Sequence, residues 1–294
     1  MLYLIDASYF IFRAYYSMPA SLVDHDGAPV NALYGFARFL QELMESVQPR
    51  HLAVAFDESL DGSFRHRIYP AYKANREPAP PELRQQFGRC RALCRHLGVA
   101  EFASAGYEAD DIIGTLTARM RAHGLRVTIV TRDKDLSQLV RVGDCFWDFA
   151  GDQRYAYDEI EERFGARPER MADYLALTGD GVDNIPGVPG IGPRTAAAIF
   201  RRFESLDELY DDVEAVAKLP VRGAAALPAK LREHRETVFL ARQLTTIDCN
   251  MPLECGPQEL AVRQPDTAAL DVFYEAANFG PGLGRQAARL AARD

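Results

Sequence analysis

Nine acidic residues stand out for where they fall in the sequence. Asp6 ends the apolar run YLID, Asp57 ends HLAVAFD, and Asp133 and Asp135 follow VTIVT in TRDKD. Glu108, Asp110 and Asp111 crowd into YEADD, and Asp180 and Asp183 lie in LTGDGVDNIPG. Like charges about 4 Å apart repel by about 4 kcal/mol per pair at an effective dielectric near 20, so nine carboxylates in one crevice require divalent cations. An all-oxygen donor set without His or Cys points to Mg²⁺ or Mn²⁺ rather than zinc. Carboxylate-held pairs of such ions carry in-line phosphoryl displacement, one ion lowering the pKa of a water and the other stabilising the leaving oxygen. Any one of these acids could equally be a helix N-cap or a solvated turn residue. Four separate segments each delivering acid, with LTGDGVDNIPG extending the set, weaken that reading. No Ser-His-Asp or Cys-His pattern competes, since none of the six histidines has obvious triad company.

The elements that must position these acids follow from periodicity. Short apolar runs at 3–6, 51–57, 99–103 and 127–131 read as parallel strands joined by helical crossovers. In a parallel sheet the carboxyl ends point into one crevice, where α/β proteins place ligands. The strongest helix spans 30–47, with Val30, Leu33, Phe36, Ala37, Leu40, Leu43, Met44 and Val47 forming one apolar stripe. A second spans 108–122. For Glu108 and Asp110 to converge, Glu108 must sit at its entrance, where the macrodipole favours anions. The segment 64–76 (FRHRIYPAYKANR) interleaves basic and aromatic residues, EPAPP at 77–81 interrupts it, and 82–97 resumes as a basic helix. From about 158 the strand signal stops, and 158–164, 168–178, 193–203, 205–218 and 228–243 read as helices. Beyond 244 the chain is punctuated by Pro and Gly, with two short helical pieces.

Residues 184–196 (NIPGVPGIGPRTA) place Gly190-Ile191-Gly192 between two helices, with Pro193 suited to the first turn of the second. Bare backbone N–H groups there can face a phosphate oxygen, with Arg194 adding charge and Thr195 a hydroxyl. An ordinary glycine-rich turn is the bland alternative. A backbone-reading site of this kind predicts sequence-independent binding.

The 294 residues are 48% hydrophobic and 26% charged, which excludes a mainly disordered chain. The net charge of −8 argues against a nucleic-acid partner, but setting the nine acids aside leaves +1. No window approaches 18 apolar residues, and Asp6 interrupts the apolar opening, so neither a membrane span nor a signal peptide is expected. Five cysteines, an odd number, read as reduced thiols and predict a cytoplasmic protein, nucleoid-associated where its partner is DNA. Cys90 and Cys94 share a helix face but lack a second ligand pair, so zinc is not expected there.

Taken in order, LIDASYFIFRAYY, AVAFD, SFRHRIYPAYKANR, GYEADDIIGTL, VTRDKDLSQL and LTGDGVDNIPGVPGIGPRTA resemble the 5′–3′ exonuclease/flap endonuclease family over residues 1 to about 250. The likeness is to the N-terminal nuclease domain of bacterial DNA polymerase I and its stand-alone relatives. It implies an α/β fold with a mostly parallel sheet flanked by helices and a helical arch, followed by an all-α helix-hairpin-helix region. The implied boundaries are 1–165 for the α/β nuclease domain with the arch about 64–97, 166–257 for the DNA-binding region, and 258–294 for a C-terminal helical tail. The implied activity is divalent-metal-dependent hydrolysis of DNA at 5′ ends or 5′ flaps in replication or repair, on branched or end-bearing duplexes, by a likewise stand-alone monomer with no membrane partner. Asp6, Asp57, Glu108 and Asp110 match the family's first metal site, with Asp111 adjacent. Asp133, Asp135, Asp180 and Asp183 match the second, which some stand-alone relatives lack. Lys73 and Arg76 match residues that contact the scissile phosphate, and Tyr72 matches one placed to stack on the terminal base, although a core role fits that aromatic equally. A K⁺ ion at the hairpin would be held by the backbone carbonyls of Leu177, Thr178, Pro186, Val188 and Ile191. Competing readings are a non-catalytic DNA-structure binder, a PIN-like ribonuclease, and a nucleotide-binding Rossmann enzyme. The last is disfavoured because ASYF, not a glycine-rich loop, follows Asp6.

Overall fold

The computed structural model describes residues 1–58 and 62–292. In chain order the elements are β1 (Leu2–Asp6), α1 (Ala7–Ser17), α2 (Asn31–Val47), β2 (His51–Asp57), α3 (Phe64–Ile68), α4 (Pro81–His96), β3 (Ala100–Ser104), α5 (Ala109–Ala122) and β4 (Val127–Val130). There follow β5 (Cys145–Asp148), β6 (Gln153–Ala156), α6 (Ile160–Phe164), α7 (Met171–Thr178), α8 (Pro193–Phe200), α9 (Leu206–Asp211), α10 (Leu227–Glu233), α11 (Arg235–Thr245), α12 (Thr267–Ala276) and α13 (Pro281–Ala291). They divide into two compact units. One comprises Met1–Glu58, Pro78–Thr131 and Cys249–Asp294, the other Ser59–Glu77 and Arg132–Asp248.

The first unit is an α/β layer. Its strands are all parallel, in the order β3-β2-β1-β4. β1 and β2 read as continuous apolar runs because both of their faces are covered, and Leu2, Leu4, Ile5, Leu52, Val54 and Phe56 are almost fully buried. The predicted stripe of α2 is its buried face, and the helix ends at Gln48 in the left-handed conformation. Residues 258–294 are not a separate tail. Leu270, Tyr274, Leu283 and Ala287 are buried as α12 and α13 pack on α4 and α2, and Gly98 admits the backbone of Arg263 so closely that a Cβ there would collide with its carbonyl. Residues 293 and 294 lie outside the described part.

The expected arch over 64–97 divides. α4 buries Leu83, Cys90, Leu93 and Cys94 and packs on α2 and β3, so 81–96 is a core helix of the first unit. Only the stretch up to Glu77 groups with the second unit. By packing, residues 132–165 also group with the helical region.

The second unit is helical around one antiparallel hairpin, β5–β6, which the sequence pattern did not suggest. Its strands are four residues long and β6 is mostly exposed, so alternation has no length over which to show. The helix expected over 228–243 is two helices that break at His234, and 205–218 is α9 followed by a 3-10 segment. No helix among the described residues is long and apolar enough to cross a membrane.

Candidate active site

In the first unit the acids sit where strand ends meet helix starts. Asp6 closes β1 and caps α1, its Oδ1 accepting the Ser8 N–H at 3.1 Å. The Thr131 hydroxyl, just past β4, donates to Asp6 Oδ2 at 3.0 Å. Asp57 closes β2 and accepts from Ser8 Oγ at 2.6 Å and from the Ala109 N–H, at the start of α5, at 2.9 Å. Ser8 therefore joins the two strand-end carboxylates, and Asp57 fixes the entrance of α5. Glu108 is the N-cap of α5, as its placement required, and Asp110 is half-buried on the first turn. Asp111 is fully buried and accepts the Glu108 N–H at 3.0 Å, completing a capping box. Its evident work is structural.

In the second unit Asp133, Asp135, Asp180 and Asp183 line a cavity of about 400 Å³ together with Arg76, Lys134 and Val182. Asp180 and Ile185 exchange backbone hydrogen bonds, closing a tight loop, and Asp180 Oδ1 turns back to accept the Val182 N–H at 2.8 Å. Lys134, between the two acids of TRDKD, lies 2.7 Å from Asp180 Oδ2 and 3.3 Å from Asp135 Oδ1. Burial, then the Asp133 carboxylate, pushes the Asp135 carboxyl up to about 8. Burial works against Asp180 too, but Lys134 and the loop N–H groups outweigh it and hold that carboxyl below its ordinary value.

The stretch 71–76 is stitched to that loop. Lys73 N–H donates to Asp183 O at 2.9 Å, Asn75 to Gly181 O at 2.8 Å, and Asn184 to Ala71 O at 2.6 Å. On the side-chain level Asp183 gathers Arg76, the Tyr72 hydroxyl at 3.2 Å and Lys73 Nζ at 3.7 Å. Lys73 and Asn184 both adopt positive φ, at 54° and 55°, a region that ordinary side chains disfavour and that surrounding contacts must enforce. Tyr72 is 3% exposed, with Lys73 Nζ 4.9 Å from its ring centroid. Of the two roles the sequence left open for Tyr72, its burial matches the core one: the ring carries Lys73 and its hydroxyl holds Asp183.

At the hairpin, Gly190 has φ 82°, and a Cβ there would lie 2.5 Å from Lys230 Nζ. Gly192 is open and extended into the N-terminus of α8, where Pro193 takes the first position. Gly190, Gly192, Pro193 and Arg194 are exposed, Thr195 is half-buried, and Ile191 is buried as the apolar pin. Leu177 O accepts from Val188 N and Val188 O from Ile191 N, both at 2.9 Å. Gly187 presses on the Thr178–Gly179 backbone so tightly that no Cβ would fit.

Ser8, Thr131, Asn75, Lys134, Asn184 and Lys230 are contributors that the motifs did not single out. Only Lys134 carried a signal, a lone cation between two of the acids. The donor set fits a hard divalent cation: all are carboxylates, and among the described residues buried Asp135 Oδ1 has no hydrogen-bond partner and faces the Lys134 ammonium at 3.3 Å. Among the described residues no three acids, His or Cys close to metal-ligand spacing, so holding an ion requires side-chain rotation.

The chain matches the family models for the 5′-3′ exonuclease N-terminal resolvase-like domain over residues 1–165 and the 5′-3′ exonuclease C-terminal SAM fold over 166–268. It is 32% identical to the 5′-3′ exonuclease of Aquifex aeolicus, covering 90% of this chain and 88% of that one. The chain belongs to the 5′-3′ exonuclease family. It is also 38% identical to DNA polymerase I of Pseudomonas aeruginosa over 95% of its own length, but spans only 30% of that relative. Among solved structures, T5 5′-exonuclease with zinc bound matches with a TM-score of 0.66 at 21% identity, over 98% of this chain and 97% of that one. The catalytic core of Rad2 in complex with DNA substrate also gives 0.66, at 14% identity, over 99% and 91%. These two share the fold.

Proposed function

We propose that the chain is a divalent-metal-dependent 5′ nuclease that hydrolyses phosphodiester bonds in DNA bearing 5′ ends or 5′ flaps, without regard to sequence, as a monomer acting in replication or repair. The observation that carries this reading is the clasp on Asp183: Lys73 and Arg76 are held on a carboxylate, in a backbone geometry enforced by the acid loop. Two cations presented in this way suit a phosphate oxygen, which carries the same charge as the carboxylate they hold. Asp6, Asp57, Glu108 and Asp110 would hold one cation, with Asp111 fixing the start of α5, and Asp133, Asp135, Asp180 and Asp183 would hold another. When bound, Mg²⁺ or Mn²⁺ supplies an activated water and stabilises the leaving oxygen. Lys73 and Arg76 grip the phosphate at the cut, and Lys134 keeps Asp135 and Asp180 in place. Membership of the family and the complete acid set favour catalysis over DNA binding alone.

Digestion of a 5′-labelled flap substrate in Mg²⁺, with product sizing and a matched RNA substrate, tests the reading. Short DNA products that disappear in EDTA are expected; no cleavage, or cleavage of RNA only, overturns it. Because a carboxyl group near pKa 8 must lose its proton before it binds a cation, the Mg²⁺ concentration giving half-maximal cleavage should rise as pH falls from 8 to 6. A pH-independent midpoint counts against Asp135 as a ligand.

The hairpin would grip duplex backbone through exposed N–H groups and Arg194. K⁺ would be held by the carbonyls of Leu177, Thr178, Pro186, Val188 and Ile191, using the lone pairs that the backbone bonds leave. Gly192→Val has space for its side chain, so it should weaken binding of all DNA sequences alike and make log affinity less steep in log salt, with the cleavage rate recovering at saturating DNA. Gly190→Val would also force φ and strike Lys230, so it should cost stability besides. Fluorescence anisotropy over a salt series checks both. Normal binding by Gly192→Val would make the hairpin a structural turn.

A further inference from the structure

The cavity of the second unit has a wall opposite in character to its acids. Tyr155 on β6 and Phe164 at the end of α6 meet edge to face with centroids 5.9 Å apart. The Arg163 guanidinium lies 5.5 Å from each ring centroid. Arg163 is exposed, and among the described residues no carboxylate lies within ion-pair distance of it. Arg132, also on the cavity, is engaged with Asp148 at 3.4 Å. One uncommitted cation thus sits on an aromatic support in the same cavity as five carboxylates, of which Asp148 is taken by Arg132.

That combination has a definite chemistry. A guanidinium carried on aromatic rings loses little side-chain freedom when it binds and forks onto phosphate oxygens. Half-buried rings and guanidinium planes are surfaces on which unstacked bases settle. A cavity of about 400 Å³ lies in the range that takes a ligand of nucleotide size, and too small for a paired helix. We propose that this wall is a binding site for a single unpaired nucleotide, its phosphate on Arg163 and its base against Tyr155 and Phe164. The inference rests on the nuclease reading, and specifies that the strand entering beside Asp133, Asp135, Asp180 and Asp183 does so unpaired. The acids repel the phosphate in the absence of cations, so the site works only with the divalent ion present.

Titration of the full chain with thymidine 5′-monophosphate in Mg²⁺ by calorimetry tests the site, because this probe has no phosphodiester to cut. Thymidine and inorganic phosphate serve as parallel probes, and a blunt duplex as the comparison. Saturable binding by the wild type is expected. Arg163→Gln should weaken the monophosphate about tenfold, as loss of a charge-assisted phosphate contact does, with thymidine and duplex affinity nearly unchanged. Tyr155→Leu, checked for native melting, should weaken both monophosphate and thymidine severalfold. No saturable binding by the wild type, an Arg163→Gln affinity equal to the wild type, or parallel weakening of the duplex overturns the inference. Flap cleavage by the wild type is measured alongside. Its absence would defeat the nuclease reading alone; its presence with an unchanged Arg163→Gln affinity would defeat this one alone.

Discussion

Lys73→Ala should lower the single-turnover cleavage rate at saturating DNA by about 10²–10³-fold, the cost of removing one preorganised charge from a developing oxyanion. The Lys73 side chain is 13% exposed, its ammonium lying between the Asp183 carboxylate and the Tyr72 ring, so little motion is needed to meet a phosphate. Affinity should fall far less, since the hairpin and the remaining basic residues still hold the backbone. Alanine is a clean probe here. It is as ill suited as lysine to φ 54°, and it keeps the N–H that donates to Asp183 O, so the local fold loses only the charge. Arg76 would remain on Asp183 and leave a measurable residual rate. Stopped-time cleavage at several DNA concentrations separates the two effects. Collapse of binding with an intact saturated rate would make Lys73 a docking residue and remove it from the chemistry.

The strand-end acids of the first unit were legible because a buried parallel strand is a continuous apolar run, and a polar residue ending it is conspicuous. Asp6 and Asp57 are at those ends, and Glu108 is at the helix entrance that convergence demanded. What joins them was not legible. Ser8 touches both carboxylates through one N–H and one hydroxyl, yet in sequence it is a lone serine near the start of an amphipathic helix. Tyr72 stayed open between two roles for a related reason. An aromatic beside basic residues fits a base platform and a core position equally well, and only the fold shows it buried on Asp183.

Long-range packing hid the rest. Nothing local in 77–97 says that α4 belongs with the sheet rather than with a free-standing arch, although its buried Leu83, Cys90 and Leu93 recur at helical spacing. The β5–β6 hairpin is too short for alternation to register, and the wall it contributes beside the acids was invisible with it. His234 splits α10 from α11 without Pro or Gly, so tertiary contacts and not propensity end the first helix.

Asp6 carries the other large effect, and the structure changes which substitution tests it. Asp6→Ala tests the proposed metal ligand alone only if nothing else is lost with it; here the side chain is also the N-cap of α1 and the acceptor for Thr131. Losing that cap costs about 1 kcal/mol, so Asp6→Ala should unfold at lower urea, offset in part by relief of repulsion from Asp57 across Ser8. Asp6→Asn keeps a capping oxygen of equal rank and loses the charge and one acceptor, which the Thr131 hydroxyl can offset by turning to accept from the amide. Both variants should lose at least about 10³-fold in Mg²⁺-dependent cleavage, on the scale of other groups that act on the reacting centre as a unit. Only Asp6→Ala should lose stability in EDTA. Urea melts in EDTA paired with flap cleavage in Mg²⁺ give both quantities for both variants. An Asp6→Asn protein that cuts at the wild-type rate would leave Asp6 as a helix cap and move the chemistry elsewhere; one that neither cuts nor folds would say that the charge itself, through Ser8 and Thr131, holds the strand ends together.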